Sequence, residues 1–465
     1  MSCKRYITGM ILLMAMVAFS GCRQWNQQQQ QNRTTGTVNR TEQTVIRFMG
    51  QWFEQGDRER FIREFVTEYN FRNQHVRVEL VFPEEIMGDR RGDKDLEVFV
   101  TEQLRSRVTD YDILLLNNDY ALVADEPGWA KKYLVDFAEI PQFRETTVKG
   151  LINDSIIGLW GGIVPGPLVE GFYYTLWCNT NVANQVGVEV KQMGMTFDDF
   201  RTYIQAVHAY NEKQTNPDDR KYALFEAGDW RTMNYLTNQL YMSILNDDEE
   251  YFRDRPSERK LRAWNQTLQL LQTLAPYKPL NPQYSGKVWN DSFHEFLDDR
   301  YLFFINGSWM YSFWQNVDRQ KLMNMMPVEL PVTRQVNNYI GGYQIMWGVP
   351  KNAPNRDEAV KFLLAMNDAR VAEKWVRYTK CPTGIQGKLA TVSMGVDHFE
   401  DFTFQIDQKY GKNKINPLGS QYVFGFNNRW NHYFAHEVLL GEITPAEAVR
   451  QIRTALSNNN VAIVP

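Results

Sequence analysis

His294-Glu295 and His436-Glu437 each open like the helix of a zinc protease, in which a second histidine four positions after the first completes a metal-binding pair. Asp298 and Leu440 stand at those positions, so neither segment supplies the pair. No Gly-x-Ser-x-Gly and no phosphate-binding Gly-x-x-x-x-Gly-Lys occurs, and Gly161–Gly166 (GGIVPG) lacks dinucleotide-loop spacing. Asp89–Asp95 (DRRGDKD) has acidic residues and a glycine without the twelve-residue calcium-loop pattern. The adjacent carboxylates Asp198-Asp199 and Asp298-Asp299 read as solvated pairs, although a glycosidase needs only two carboxylates about 5 to 9 Å apart. What remains is aromatic: 13 Trp, 23 Tyr and 27 Phe in 465 residues. Such rings either fill a core or form flat binding walls. With 51 Lys plus Arg against 55 Asp plus Glu, there is no basic footprint for nucleic acid. Four cysteines without a Cys-x-x-Cys pair exclude a zinc ribbon and a disulfide-dense scaffold.

The elements that would position these rings read as alternating strands and helices. Val45–Met49 predicts a strand, Phe61, Ile62, Phe65, Val66 and Tyr69 recur at helical spacing, Val76, Val78 and Leu80 alternate, and Ile113–Leu116 is a continuous apolar run. That order implies βαβ units and a parallel sheet covered on both faces. Three helix starts carry a cap and a following acid: Thr196 with Asp199, Asn355 with Glu358, and Thr444 with Pro445 and Glu447. Residues 200–300 are helical in pattern, as in Leu261, Trp264, Leu268 and Leu271. The length implies two or three domains. No long linker separates them, which suggests lobes joined by several chain crossings.

At the N-terminus, Lys4 and Arg5 precede the apolar run Ile7–Phe19, too short for the roughly 20 residues of a membrane-spanning helix. The Phe-Ser-Gly-Cys that follows resembles the lipobox of bacterial lipoproteins, which implies cleavage after residue 21 and a diacylglyceryl anchor on Cys22. Residues 22–43, rich in Gln and Asn, then read as a disordered tether reaching roughly 25 Å.

Four blocks together resemble the sugar-binding extracellular solute-binding proteins of ABC importers, the family of maltose-binding protein. They are YDILLLNNDYALVADEPGWAKKYLVDF (111–137), GLWGGIVPGPLVEGFYYTLWCNTNV (158–182), FLDDRYLFFINGSWMYSF (296–313), and the stretch from Gly341-Gly342 through VPKNAPNRDEAVKFLLAMNDARVAEKWVRYTKCPTG. The resemblance covers most of residues 44–456. It implies an α/β, two-lobed periplasmic-binding-protein fold of type II, with three hinge crossings near 168–173, 340–344 and 379–384 and ligand in the cleft between the lobes. The first lobe would comprise 44–170 plus 343–380, the second 171–342 plus 381–465.

A sugar presents apolar C–H faces and polar edges, so its cleft needs aromatic walls with carboxylates and amides beside them. Trp52 and Asn118 follow strands where loops open into such a cleft. The resemblance adds Asp119 as a hydroxyl acceptor, Glu170 beside the first crossing and Trp309 as a stacking ring, with Trp230, Tyr343 and Trp430 at matching approximate positions. Each tryptophan has core packing as its alternative. Cys178 and Cys381 fall near crossings, as a hinge disulfide or two buried thiols. The expected function is that of a monomeric, lipid-anchored binding protein, not an enzyme and without cofactor, delivering a carbohydrate to ABC permease subunits. A carbohydrate-active lipoprotein enzyme and a ligand sensor for a membrane kinase stay open beside it.

Overall fold

Burial alternates along β1 (Thr44–Met49): Ile46 and Phe48 are enclosed while Arg47 between them faces solvent. The helix that follows, α1 (Asp57–Arg72), buries Phe61, Ile62, Phe65 and Val66 on one stripe. β2 (Val76–Val81) flanks β1 on one side and β3 (Leu114–Leu115) on the other, with Phe48 bridged in parallel to Ile113. The expected βαβ arrangement is therefore present, although the regular part of the third strand is shorter than its apolar run. The computed structural model describes residues 43–88, 93–116, 126–253, 255–281, 283–387, 398–416 and 433–464. Within it, the described residues from Val45 onward pack as one unit.

The chain crosses to the second lobe along β4 (Glu170–Asn179), buried along its whole length. β5 (Tyr222–Phe225), β6 (Tyr301–Gly307), β7 (Met325–Val328) and β8 (Tyr339–Gln344) build the second sheet around it. The first half of β4 pairs antiparallel with β8 and the second half with β6 and β7. β9 (Trp347–Gly348) then carries the chain back, pairing antiparallel with β3 of the first lobe. β10 (Ile415–Asn416) returns to the second sheet beside β8. Two-lobed connectivity follows from these pairings.

The three crossings lie side by side. Gly171 N–H donates to the Pro382 carbonyl and Gly384 N–H to the Leu168 carbonyl, both at 2.9 Å, while Gly171 sits opposite Tyr343 in the ladder. A side chain at Gly171 would meet the Pro382 carbonyl and the Tyr343 ring at 2.7 Å, so only glycine lets the hinge segments close up.

Helices cover both sheets: α2 (Phe197–Asn211), α3 (Met233–Leu245), α4 (Glu258–Gln272), α5 (Met310–Val317), α6 (Arg356–Met366), α7 (Ala369–Thr379), α8 (His398–Tyr410) and α9 (Pro445–Asn458). Two caps form as the sequence implies. Asp199 N–H donates to the Thr196 hydroxyl at 3.1 Å with the reciprocal bond at 3.0 Å, and Glu447 N–H donates to Thr444 at 3.2 Å. Asn355 differs: α6 begins after it, but its amide donates to the Val45 carbonyl at 2.9 Å, so the side chain ties β1 down instead of capping. α4 buries Leu261, Trp264, Leu268 and Leu271, and the Trp264 indole donates to the Tyr433 carbonyl at 3.2 Å. No helix among the described residues is long and apolar enough to cross a membrane.

Candidate functional site

Side chains two apart on a strand share a face. Along β4 that rule divides the hinge strand into two functions. Tyr173 points to α8, where its hydroxyl meets Thr403 and its ring packs on Phe402 at 5.5 Å. Glu170, Phe172 and Tyr174 share the opposite face, where Trp309 lies edge-on to Phe172 and Tyr174 at 5.2 and 5.5 Å. Trp309 sits on the turn between β6 and α5, flat against the strand it has just left. A side chain at Gly307 would overlap its ring.

Three half-buried tryptophans converge here. The indoles of Trp230 and Trp309 are parallel within 8°, with centroids 6.1 Å apart, and Trp289 leans on Trp230 at 5.6 Å and 60°. The Trp230 indole donates to the Tyr235 hydroxyl at 3.3 Å, and Tyr235 stacks face to face on Tyr174. The result is a stepped aromatic wall springing from the hinge strand and the loops at the ends of β5 and β6.

A buried carboxylate shapes the loop that carries Trp230. Glu226 accepts N–H bonds from Thr232 at 2.6 Å, Met233 at 2.9 Å and Ala227 at 3.2 Å, closing residues 226–233 into a tight turn at the start of α3. Nε2 of His436, on the short helix Ala435–Leu439, lies 3.1 Å from the same carboxylate. The Asp229 carboxylate in turn accepts the Trp289 backbone N–H at 2.8 Å, joining the two tryptophan loops.

The structure distributes the expected site residues unevenly. Trp230 and Trp309 stand together. Trp52 is 1 % exposed, its indole packed against Trp347 at 5.1 Å and Trp375 at 4.8 Å, so its faces serve the core of the first lobe. Glu170 is buried with both carboxylate oxygens engaged, one by Arg58 and one by the Trp52 indole N–H at 3.3 Å, as a hinge ion pair. Tyr343 shares the Gly171 and Tyr173 face, away from Trp309. Its hydroxyl has no hydrogen-bond partner among the described residues, and burial, with the Asp407 carboxylate adding to it, holds the phenol well above its usual range. Asn118, Asp119 and Trp430 lie outside the described residues, as do Cys22 and the signal and tether segments. Trp289, Tyr174 and Tyr235 were not singled out from the sequence. The two-residue spacing of Phe172 and Tyr174 in an aromatic-rich strand was the signal available for one of them.

Cys178 and Cys381 are both buried free thiols. Cys381 neighbours Ser308, whose hydroxyl donates to its sulfur at 3.3 Å and whose N–H bonds the Tyr173 carbonyl, whereas Cys178 pairs with Phe303 farther along β4. Tyr173 to Cys178 spans roughly 17 Å of strand, against the about 7 Å between Cα atoms that a disulfide tolerates. Burial raises both thiols above their ordinary range. Alkylation is therefore expected to spare both cysteines in the folded protein and to modify both after unfolding without reductant. Mass spectrometry finding a linked pair would contradict this.

Comparison with known proteins agrees with this architecture. The family model of bacterial extracellular solute-binding proteins matches residues 100–393, more than half of the chain. No curated protein sequence matches it. Among solved structures, apo RafE from Streptococcus pneumoniae superposes with a TM-score of 0.61 at 15% identity, covering 88% of this chain and 96% of that one. The GacH receptor of Streptomyces glaucescens gives 0.60 at 14%, covering 90% and 98%. A chitin oligosaccharide binding protein gives 0.60 at 14%, covering 90% and 99%. The family match and the two-lobed fold with its three adjacent crossings make this chain a member of the bacterial extracellular solute-binding protein family.

Proposed function

We propose that the chain is a lipid-anchored extracytoplasmic binding protein that captures a carbohydrate between its lobes and presents it to the permease of an ABC importer. The observation that carries this reading is the aromatic wall of Trp230, Trp309 and Trp289 beside the hinge strand. Flat rings in partial exposure suit the C–H faces of sugars. The similar structures add weight, since RafE is described in complex with raffinose and GacH with acarbose. As lobe boundaries we take 44–170 plus 343–380 and 171–342 plus 381–465. The anchor is placed on Cys22. Ligand that touches both lobes favours their closed arrangement by its differential affinity, and the closed shape is what the permease reads.

A thermal-shift screen of residues 44–465 against mono- and oligosaccharides, with amino acids, polyamines and anions as controls, tests the reading. Ligand at 100 times its Kd adds about 2.7 kcal/mol to the folded state, enough for a clear rise in Tm. The rise is expected with one sugar class and is expected to vanish in Trp309→Ala. A shift with a charged control alone would overturn the carbohydrate assignment and leave the fold standing.

A further inference from the structure

Between β1 and α1 the backbone takes an unusual path. Trp52 and Glu54 both have positive φ, at 76° and 57°, and Gly56 follows at 55°. Two non-glycine residues in the left-handed region carry a conformational cost and persist only where their surroundings fix them. Here they are fixed locally: Gln55 N–H donates to the Trp52 carbonyl at 3.0 Å, Glu54 N–H to the Glu59 carboxylate at 2.6 Å, and Arg58 to the Gln55 amide oxygen at 3.0 Å. The loop is thus a rigid projection of the first lobe.

What it projects onto belongs to the other lobe. Asp57 N–H donates to Oε1 of Gln315 at 3.2 Å, and Nε2 of Gln315 donates back to the Asp57 carboxylate at 2.9 Å. The amide of Asn316 donates to the Glu54 carbonyl. Gln315 and Asn316 lie on α5, the helix that starts directly after Trp309. At Gly56 an added Cβ would lie 2.8 Å from the Ser312 carbonyl and 2.9 Å from Oε1 of Gln315, so the approach of the lobes there depends on glycine.

We infer that Gly56-Asp57 and Gln315-Asn316 form an interlobe clasp that stabilises the closed arrangement and thereby sets ligand affinity without touching ligand. The clasp exists only when the lobes are together, so its hydrogen bonds bias the closure equilibrium on which the proposed binding function rests. The two bonds that Gln315 makes correspond to a shift of roughly tenfold in that equilibrium. Because α5 carries both the clasp and the Trp309 turn, the aromatic wall and the closing contact move as one body.

The test is a distance measurement between spin labels at F71C and M323C, one exposed site on each lobe, in the full chain with Cys3 and Cys22 replaced by serine. Gln315→Ala is expected to lengthen the mean distance relative to the parent, and Gly56→Ala to do so by wedging the contact, with circular dichroism confirming that each folds. An unchanged distance in Gln315→Ala overturns the clasp, whatever Gly56→Ala does. Raffinose titrated into the same samples is expected to bind roughly tenfold more weakly to Gln315→Ala. Failure of raffinose to bind even the parent bears on the carbohydrate reading alone, since the label distance judges the clasp by itself.

Discussion

Arg58→Met is expected to destabilise the protein by about 3–5 kcal/mol, because it strands the Glu170 carboxylate inside the hinge. Both partners are buried, at 4 % exposure each. Glu170 takes the Arg58 guanidinium on one oxygen and the Trp52 indole on the other. The guanidinium also lies 5.6 Å from the Trp52 ring and 5.8 Å from Trp375. Burial pulls the arginine pKa down to about 10, an effect partly offset by the neighbouring Cys381 sulfur. A cation held at that cost serves to neutralise the carboxylate beside it. The double variant Arg58→Met with Glu170→Leu should therefore recover most of the loss, since a buried pair replaced whole by apolar groups is often neutral. Urea unfolding of both variants decides the matter. A single variant as stable as the parent, or a double variant no better than the single, would show that the pair does not hold the hinge.

That pair also shows where the sequence was readable. The three crossings could be anticipated because four blocks of the chain resemble those of sugar-binding solute-binding proteins in order and spacing, and the ladder between Gly171 and Tyr343 with the bond to Pro382 brings the implied segments together. The place of Trp309 beside the hinge strand has a local cause: with Gly307 before it and α5 after it, the ring lies over β6 and edge-on to Phe172 and Tyr174 of β4. Trp52 was not. A tryptophan after a strand can face a cleft or turn inward, and its orientation depends on a backbone φ of 76° and on partners at 347 and 375, far away in sequence. Glu170 misled similarly, since a carboxylate at a hinge suits a hydroxyl or an arginine equally well, and Arg58 is brought to it only by the docking of α1. Trp289 entered the wall through Asp229, a tertiary contact without local signature.

Glu226→Ala is expected to cost about 3–5 kcal/mol of stability and to weaken ligand binding at least tenfold. The carboxylate is 2 % exposed and accepts the N–H groups of Thr232 and Met233, which at the start of α3 have no carbonyl one turn earlier to bond. Alanine leaves these donors buried and unsatisfied, and it removes one partner of His436, itself 1 % exposed. The consequence reaches the site because the Glu226 turn sets where Trp230 stands relative to Trp309. Trp230→Ala separates the two effects. Its half-buried ring lies between Trp309 and Trp289 in the wall, so truncation should weaken binding while moving Tm far less than Glu226→Ala does. Glu226→Gln keeps one carbonyl oxygen for the backbone donors but turns an N–H2 group toward the others, and so should fall between parent and alanine in both measurements. If Glu226→Ala lost stability and bound its sugar with parental affinity, the turn would be a structural device of the second lobe and not the support of the aromatic wall.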